Sequence, residues 1–328
     1  MGKAPGVAAP PRRPDPVTLA AFAAVAVLGG VNAIAVKVSV GELEPFWSAG
    51  SRFVIAGLLL SLFVLATDRR FPRGRSLAGA VLYGAIAFAA SFGLVYPALR
   101  EVPAGTAMVF IALVPLETFA LAIVHRQERF RVQGLLGALI SVAGVVIVVW
   151  DQIGAAVPLG AMALLLLGTL FVAESAIVLK SIPRADPYAT NGIAMLTGGL
   201  ILTVISAVAG ESWAVPREAA TWLATAYLVV LGSIALFGLY LAGLRRWTAS
   251  GMSYTTLLMP LVTMPLAAIL LRESISLTLL IGGIIAIVGI YIGAFATFRP
   301  GRSTATSAPE CLPIEDCPVV LPARAGAR

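Results

Sequence analysis

Ten long stretches of this chain carry almost no charge, and they constrain its fold more than any other feature. A helix needs about 20 consecutive apolar residues to cross the hydrocarbon of a bilayer. Across the chain 59% of residues are hydrophobic and 12% are charged, whereas soluble domains average about 25% charged residues. Backbone N–H and C=O groups in lipid must be satisfied within the segment, so the sequence predicts an all-α polytopic membrane protein with ten transmembrane helices. The ten runs lie at 17–37, 45–66, 77–99, 104–124, 132–150, 158–180, 188–210, 222–244, 250–271 and 277–298.

The formal charge of +7 is distributed as membrane topology requires, and we therefore expect no nucleic-acid partner. If the N-terminus is cytoplasmic, the segments predicted to lie inside hold eighteen Lys and Arg residues and those outside hold four, with Arg52 inside a span. Basic residues concentrate on the cytoplasmic side of membrane proteins. We predict a multi-pass protein of the plasma (cell inner) membrane with both termini in the cytoplasm.

The two ends of the chain look like appendages. Residues 1–16 and 299–328 are predicted to be disordered cytoplasmic segments. The first run could instead be a cleaved secretory signal, because Arg12 and Arg13 precede it, but it is long for one. Cys311 and Cys317 lie in the tail, where a reducing cytoplasm disfavours a disulfide and two thiols without histidine make a poor zinc site. No metal is expected.

The chain repeats itself. At a spacing of 145 residues Phe92-Gly93-Leu94 returns as Phe237-Gly238-Leu239, and Pro115, Glu128, Gly137 and Gly144 return as Pro260, Glu273, Gly282 and Gly289. Residues 17–150 and 158–298 are therefore predicted to be two five-helix repeats. Five is odd, so the second repeat enters the membrane upside down. Inverted repeats place a site near the midplane and let the halves rock around it.

On these residues the chain resembles the EamA-like family of the drug/metabolite transporter superfamily over roughly residues 17–297. The likeness is carried by VNAIAVK in the first run, PFWSAGSRF at 45–53, the two proline-bearing runs, and QERFRVQGLLG with its counterpart RESISLTLLIGG. The resemblance implies a carrier of small metabolites, often an exporter of amino acids or related compounds, that works by alternating access. Nearer the start of each repeat the spacing is slightly shorter, as loop insertions would produce, and Gly50 aligns with Gly192. The chain departs from an ideal duplication at Arg52, which has no basic counterpart and falls opposite Ala194.

Ionisable groups inside a membrane cost roughly 2.5 to 3.5 kcal/mol each on insertion scales and are candidates for function. Glu117 could attract a substrate ammonium group or exchange a proton, or could pair with Arg52 only to hold helices together. Glu174 is close enough to Lys180 for its carboxylate to reach the cytoplasmic edge. Arg52 could snorkel to the interface or hold a substrate carboxylate. The candidate substrate-binding residues are Asn32, Trp47, Arg52, Tyr96, Glu117, Glu174 and Tyr240, although membrane Trp and Tyr residues are mostly anchors.

Other residues suggest structural roles. Pro115 and Pro260 each remove a backbone hydrogen bond and are predicted to bend the fourth and ninth helices at equivalent depths. Glu128 and Glu273 lie just beyond spans, and we expect a helix-end ion pair or a gate. Gly289 and Gly293 form a small-xxx-small pattern that suits either dimerisation or close packing within one chain, so the sequence leaves monomer and homodimer open.

These features favour a secondary transporter, and more specifically an exporter, of a small polar metabolite such as an amino acid, bound between the repeats. Export of cationic drugs and a membrane-embedded receptor or scaffold without transport remain alternatives. An enzyme is disfavoured because the chain has one histidine, His125, and no pair for metal or acid–base work. No P-loop is present to hold a nucleotide. We expect no cofactor, and we hypothesise proton exchange through Glu117 or Glu174.

Overall fold

The computed structural model describes residues 14–101, 107, 110–111, 113–128, 130–149, 158–183, 185–271 and 277–295, and none of these residues forms a strand. Helical segments account for each predicted run, which confirms the all-α prediction of ten spans. They are α1 (Pro16–Glu42), α2 (Pro45–Ala66), α3 (Arg75–Glu101), α4 (Val114–Val124), α5 (Val132–Val149), α6 (Leu159–Ser181), α7 (Pro187–Val208), α8 (Ala219–Arg246), α9 (Ala249–Ser253 and Thr255–Leu271) and α10 (Leu277–Ile290, continued by a π-helical turn over Tyr291–Phe295).

Six helices in the described ranges are long and apolar enough to cross a membrane, namely α1, α2, α3, α6, α7 and α8. The helices α4, α5 and α10 contain shorter apolar segments.

Proline at the start of α1 and α7 sets the first helical turn without losing a hydrogen bond, and an aspartate caps each of these helices. Asp15 accepts a hydrogen bond from the Thr18 amide at 2.8 Å, and these Thr18 contacts hold the pKa of Asp15 below its usual range.

The helices α2 and α7 cross at glycines and run in opposite directions. Gly50 lies against the Gly199 carbonyl and Gly57 against the Gly192 carbonyl, so contacts move backward along α7 as they move forward along α2. Equivalent helices of two repeats with the same orientation would run parallel. The antiparallel crossing therefore shows that the repeats are inverted.

The helices α5 and α10 repeat this arrangement at another pair of glycines. Gly137 lies against Gly289 and Gly293, while Gly144 lies against Gly282. Replacing both residues of one contact by their equivalents 145 residues away, so that Gly137 becomes Gly282 and Gly289 becomes Gly144, gives the other contact, as a two-fold axis between the repeats requires. The small-xxx-small pattern of α10 is thus used for packing inside one chain.

A π-helical turn interrupts the same place in each repeat. It spans Ala85–Ala90 in α3 and Val230–Ala235 in α8, again 145 residues apart. A π turn displaces the backbone carbonyls from the regular hydrogen-bond pattern and is frequent at functional sites. In α8 this turn presents the Gly232 carbonyl to a side chain of the other repeat.

Six helices surround the centre of the bundle. Helix α1 packs against α8 and α9, and helix α6 packs against the equivalent helices α3 and α4. Three helices of each repeat therefore meet at the centre, where α1 and α6 each contact helices of the other repeat. The pairs α2–α7 and α5–α10 lie outside this ring. Such an arrangement places any central cavity between the two halves.

Candidate functional site: a central cavity between the repeats

A cavity of about 180 Å³ lies between the six central helices. Its walls come from both repeats, and none of the described residues that line it is charged. The lining residues include Asn32 and Val36 on α1, Tyr83, Phe92 and Tyr96 on α3, Val114 on α4, Thr169 and Ser175 on α6, Phe237 and Tyr240 on α8, and Ser253, Thr255, Thr256 and Met259 on α9.

Aromatic rings form much of the wall. Phe92 and Phe237, the repeated phenylalanines of the two halves, lie 6.3 Å apart between ring centroids, and Phe92 lies 5.8 Å from Tyr96 in an edge-to-face arrangement. Phe88 packs behind them, 4.7 Å from Phe237. A solute with an apolar body would be in contact with these faces on both sides.

Most hydroxyl groups at the wall already donate their proton to the backbone of their own helix. Each such donor bonds a carbonyl three to five residues earlier, which leaves only acceptor lone pairs for a solute. The pairs are Ser91 to Ile86 (2.9 Å), Thr169 to Leu166 (2.9 Å), Ser175 to Val172 (2.7 Å), Ser253 to Ser250 (2.8 Å), Thr255 to Met252 (2.8 Å) and Thr256 to Ser253 (2.8 Å).

Arg52 is fully buried just behind this wall. Its guanidinium donates four hydrogen bonds to neutral acceptors on α1, α3 and α8. They are Asn32 Oδ1 (3.2 Å), Tyr96 Oη (2.8 Å), Ser233 Oγ (2.8 Å) and the Gly232 carbonyl (2.8 Å). The guanidinium carbon also lies 4.7 Å from the centroid of the Phe53 ring. Arg52 therefore neither snorkels nor lines the cavity, but two of its partners do.

The ion pair of Arg52 with Glu117 is absent from the described part of the chain, where the ion pairs join other residues. Glu117 Oε1 lies 3.2 Å from Thr169 Oγ1, and Glu117 Oε2 is buried with no hydrogen-bond partner among the described residues. Because Thr169 lines the cavity, Glu117 stands one side chain behind the wall, between α4 and α6.

Glu174 lies away from the central cavity. Its Oε1 is 3.5 Å from His125 Nε2, in a separate surface cavity that also involves Arg75 and Ile177. The carboxylate is directed toward the end of the bundle where α1 begins, as its short distance from Lys180 suggested.

Trp47 also lies outside the cavity. Its ring stacks on Trp213 with centroids 4.9 Å apart and an interplanar angle of 4°, and its Nε1 donates to the Ala214 carbonyl at 2.8 Å. The Glu211 carboxylate accepts hydrogen bonds from the Phe46 and Trp47 amides. Trp47 thus anchors the α7–α8 connection to the start of α2.

Of the residues proposed for structural roles, Pro115 and Glu128 lie at helix ends, whereas Pro260 lies within a helix. Pro115 is the second residue of the described helix α4, and Pro260 lies inside the second segment of α9, beyond the interruption at Tyr254. Glu128 accepts hydrogen bonds from the Ser250 amide (3.2 Å) and hydroxyl (2.5 Å) at the start of α9. Glu273 lies outside the described residues.

Further hydrogen bonds lie at the end of the bundle where α1 begins, and those of Gln127 join the two repeats. Gln127 donates to the Ile177 carbonyl at 2.8 Å and to Ser181 Oγ at 2.9 Å, and Lys180 donates to the Trp247 carbonyl. Together with Glu128 and Ser250 these residues form what we term the inner clasp. The clasp ties the α4–α5 connection to α6 and α9.

Sequence reasoning missed the residues that complete the site. Gly232 and Ser233 bind Arg52, and Tyr83, Phe92 and Phe237 shape the wall. The duplication of Phe-Gly-Leu at 92–94 and 237–239 was a signal for the two phenylalanines, because identical residues at equivalent depths of inverted repeats face one another near the axis. No comparable signal marked Ser233, whose role depends on the π turn.

Ten apolar helices, two inverted halves and a cavity at their junction define a multi-pass membrane transporter. Residues 17–150 and 159–294 each match the EamA-like transporter family. The chain belongs to that family.

Similar proteins agree with this assignment. The chain is 29% identical over 227 residues to the "Uncharacterized inner membrane transporter YedA" of Escherichia coli K12, covering 69% of this chain and 74% of the relative. It is 24% identical over 296 residues to a "Probable amino-acid metabolite efflux pump" of Salmonella typhimurium, covering 86% and 96%. A solved crystal structure with 19% identity superposes with a TM-score of 0.70 over 84% of this chain and 96% of the other, which supports the fold.

Proposed function

We propose that this protein is a secondary transporter that exports a small organic solute, an amino acid or a related compound, through the central cavity by alternating access. The observation that carries the proposal is that one cavity is walled by helices of both inverted repeats. If the halves rock about their shared axis, the same cavity opens first to one side and then to the other. The names of the efflux-pump relatives favour export of amino-acid metabolites.

The proposed orientation puts both termini in the cytoplasm of a cell whose inner membrane holds the protein. The asymmetry of Lys and Arg residues supports this orientation, and the name of the YedA relative supports the membrane. In this orientation the inner clasp closes the cytoplasmic side of the cavity.

Reciprocal labelling tests alternation directly. In a background with Cys311→Ser and Cys317→Ser, single cysteines replace Leu99, near the outer end of the cavity, or Ser253, near its clasp end. An outward-to-inward change should protect Leu99→Cys and expose Ser253→Cys to a membrane-impermeant thiol reagent. Gly41→Cys, at an exposed end of α1 with open space around it, is the control that should label equally in all conditions. Two sites that always change together would contradict alternating access.

We further propose that Glu117 carries the coupling proton. The Oε2 atom of the carboxyl is buried beside the cavity with no hydrogen-bond partner among the described residues, so release of its proton would be tied to a change of surroundings. On the elements packed against α4, the other titratable groups are Glu174 and Lys180 on α6 and Tyr254 on α9, and Glu174 and Lys180 are engaged at the clasp end.

The variant Glu117→Gln tests the coupling in proteoliposomes. We expect it to lose accumulation of radiolabelled leucine or threonine driven by a pH gradient while keeping counterflow exchange, because exchange needs no net proton movement. Glu174→Gln is the matched control and should retain both activities. A Glu117→Gln protein that still accumulates solute in response to pH would exclude this carboxyl as the proton carrier. A wild-type protein that moves no amino acid in either assay would refute the proposed function itself.

A further inference from the structure

We propose that Asn32 and Tyr96 form a subsite for a solute carboxylate, and that Arg52 is a positioning residue that acts through them. This inference rests on the proposed function, because it names the chemistry of the solute that the cavity accepts. It is carried by the hydrogen bonds of Arg52 and by the serine and threonine hydroxyls of the wall, which donate to their own backbones.

Arg52 fixes the orientation of the Asn32 amide. Asn32 Oδ1 accepts from the guanidinium at 3.2 Å, so Nδ2 is the end left for the cavity that Asn32 lines. No described residue accepts a hydrogen bond from this nitrogen. Its two N–H groups are therefore available to a solute oxygen.

Arg52 prepares the Tyr96 hydroxyl in the same way. Tyr96 Oη accepts from the guanidinium at 2.8 Å, which occupies a lone pair and leaves the phenolic proton as the donor. A hydroxyl that accepts from a cation becomes a stronger donor, because linked hydrogen bonds polarise one another in a medium of low dielectric constant. Asn32 on α1 and Tyr96 on α3 thus offer donors backed by one positive charge.

The charge itself lacks a carboxylate partner in the described ranges. Its four acceptors are two side-chain hydroxyls, one amide oxygen and one backbone carbonyl, all neutral. Neutral dipoles reduce the cost of burying a guanidinium but do not cancel its field. A carboxylate held by Asn32 and Tyr96 would cancel it, whereas a cationic solute would be repelled. This difference disfavours the alternative of cationic drug export.

The remaining wall suits the rest of such a solute. The serine and threonine hydroxyls of α3, α6 and α9 donate to their own backbones, so they do not compete for the carboxylate. Phe92, Phe237 and Tyr83 provide faces for an apolar body. The inferred class is therefore a small monocarboxylate or zwitterion with an apolar side chain, of which leucine is a convenient example.

Four related compounds separate the contribution of the carboxylate from that of the amine and the side chain. Leucine, leucinamide, 4-methylpentanoate and 3-methylbutylamine share one apolar body and differ in the polar end. Binding is measured by calorimetry on the purified full-length chain in detergent. We expect leucine and 4-methylpentanoate to bind about 10-fold or more tightly than leucinamide and 3-methylbutylamine, because hydrogen bonds to a charged group exceed those to a neutral one.

The variants assign this preference to residues. Tyr96→Phe and Asn32→Leu should each reduce the preference for carboxylate to about 3-fold or less while leucinamide binding is retained, which also shows that the protein is folded. Arg52→Met should abolish the preference for carboxylates. Arg52→Lys should restore part of it, because lysine supplies the positive charge but not the planar set of donors of a guanidinium. Tyr188→Phe is the control, since Tyr188 lies exposed at the start of α7 and is not among the residues that line the cavity.

The outcomes separate the subsite from the proposed function. If the wild type binds all four compounds equally, or binds none, the carboxylate subsite is wrong even where reciprocal labelling shows alternation. If Tyr96→Phe and Asn32→Leu keep the full preference, the donors have been misassigned. If Arg52→Met does not fold, Tyr96→Phe and Asn32→Leu still decide whether the carboxylate subsite exists.

Discussion

The glycine crossing of α5 and α10 allows a quantitative test of the inverted architecture. A methyl group added at Gly144 would lie 2.5 Å from the Ala286 amide nitrogen, 2.7 Å from the Gly282 carbonyl oxygen and 3.0 Å from Ala286 Cα. Ordinary contacts of a Cβ atom begin at about 3.4 Å. Gly144→Ala therefore forces the two helices about 0.9 Å farther apart, from 2.5 to 3.4 Å at the closest atom.

The cost follows from the atoms involved. All three neighbours are backbone atoms of one helix, so no side chain can rotate away, and overpacking of this kind costs about 1 to 3 kcal/mol. The helix propensity of alanine over glycine offsets up to about 1 kcal/mol of this loss. We expect a net destabilisation, seen as a thermal midpoint several degrees lower in detergent when unfolding is followed by tryptophan fluorescence.

Two further substitutions control the measurement. Gly238→Ala in α8 meets no atom within 4 Å and should leave the midpoint unchanged or raise it. Gly289→Ala, equivalent to Gly144→Ala under the two-fold relation, meets the Ser141 amide nitrogen and the Gly137 carbonyl and should destabilise to a similar extent. If Gly144→Ala and Gly238→Ala melt alike, the close antiparallel crossing is refuted.

Two more predictions concern residues outside the cavity. Glu128→Ala removes two hydrogen bonds to Ser250 in the inner clasp, each worth about 1.5 to 3 kcal/mol when one partner is charged. Thiol labelling of Ser253→Cys from the clasp side should therefore rise at least 10-fold. Unchanged labelling would show that Glu128 does not hold the clasp closed. Trp47→Leu loses the stacking on Trp213, which contributes about 0.5 to 1.5 kcal/mol beyond the burial of its area. We expect a lower thermal stability and an unchanged affinity for leucine. A weaker affinity with unchanged stability would instead show that Trp47 belongs to the substrate site.

The ten helices and their inversion could be predicted from sequence because both depend on patterns along the chain. Uncharged runs are long enough to count, and the repeat spacing carried Gly137 and Gly144 to Gly282 and Gly289. The odd number of helices per repeat then required the inversion that the α2–α7 crossing shows. Membrane helices satisfy their backbone locally, so their positions need no knowledge of tertiary contacts.

The candidate site could be predicted only in part because its contacts are long-range. The sequence marked Arg52, Asn32 and Tyr96 separately as polar residues in spans. It could not show that Arg52 joins the other two, since this arrangement also needs Ser233, which is 181 residues away in the other repeat.

Trp47 illustrates what a pattern along one helix leaves undecided. A tryptophan at the edge of a span suits a binding site and an anchor equally well. What distinguishes the two here is Trp213, a stacking partner in the α7–α8 connection. The pattern along α2 contains no information about that connection, so only the tertiary structure separates the roles.

The two-fold relation breaks down at Arg52, and this break has a mechanistic meaning. The equivalent of Arg52 is Ala194, and the equivalent of Ser233 is Phe88, which is fully buried among aromatic rings. At Arg52 the π turn of α8 provides Ser233, a small polar residue that accepts a hydrogen bond from the guanidinium. At the equivalent site the π turn of α3 provides Phe88, a large apolar residue. Rocking needs two similar halves, but a solute with one carboxylate needs only one set of donors, and a second buried arginine would add a desolvation cost without a ligand to offset it. Placing Ala194→Arg in α7 and Phe88→Ser in α3, which together imitate Arg52 and Ser233 at the equivalent site, should therefore destabilise the protein, because Leu241 stands where Tyr96 would be required to accept from the new guanidinium. A doubly substituted protein as stable as the wild type would show that burial of the charge is not limited by its partners.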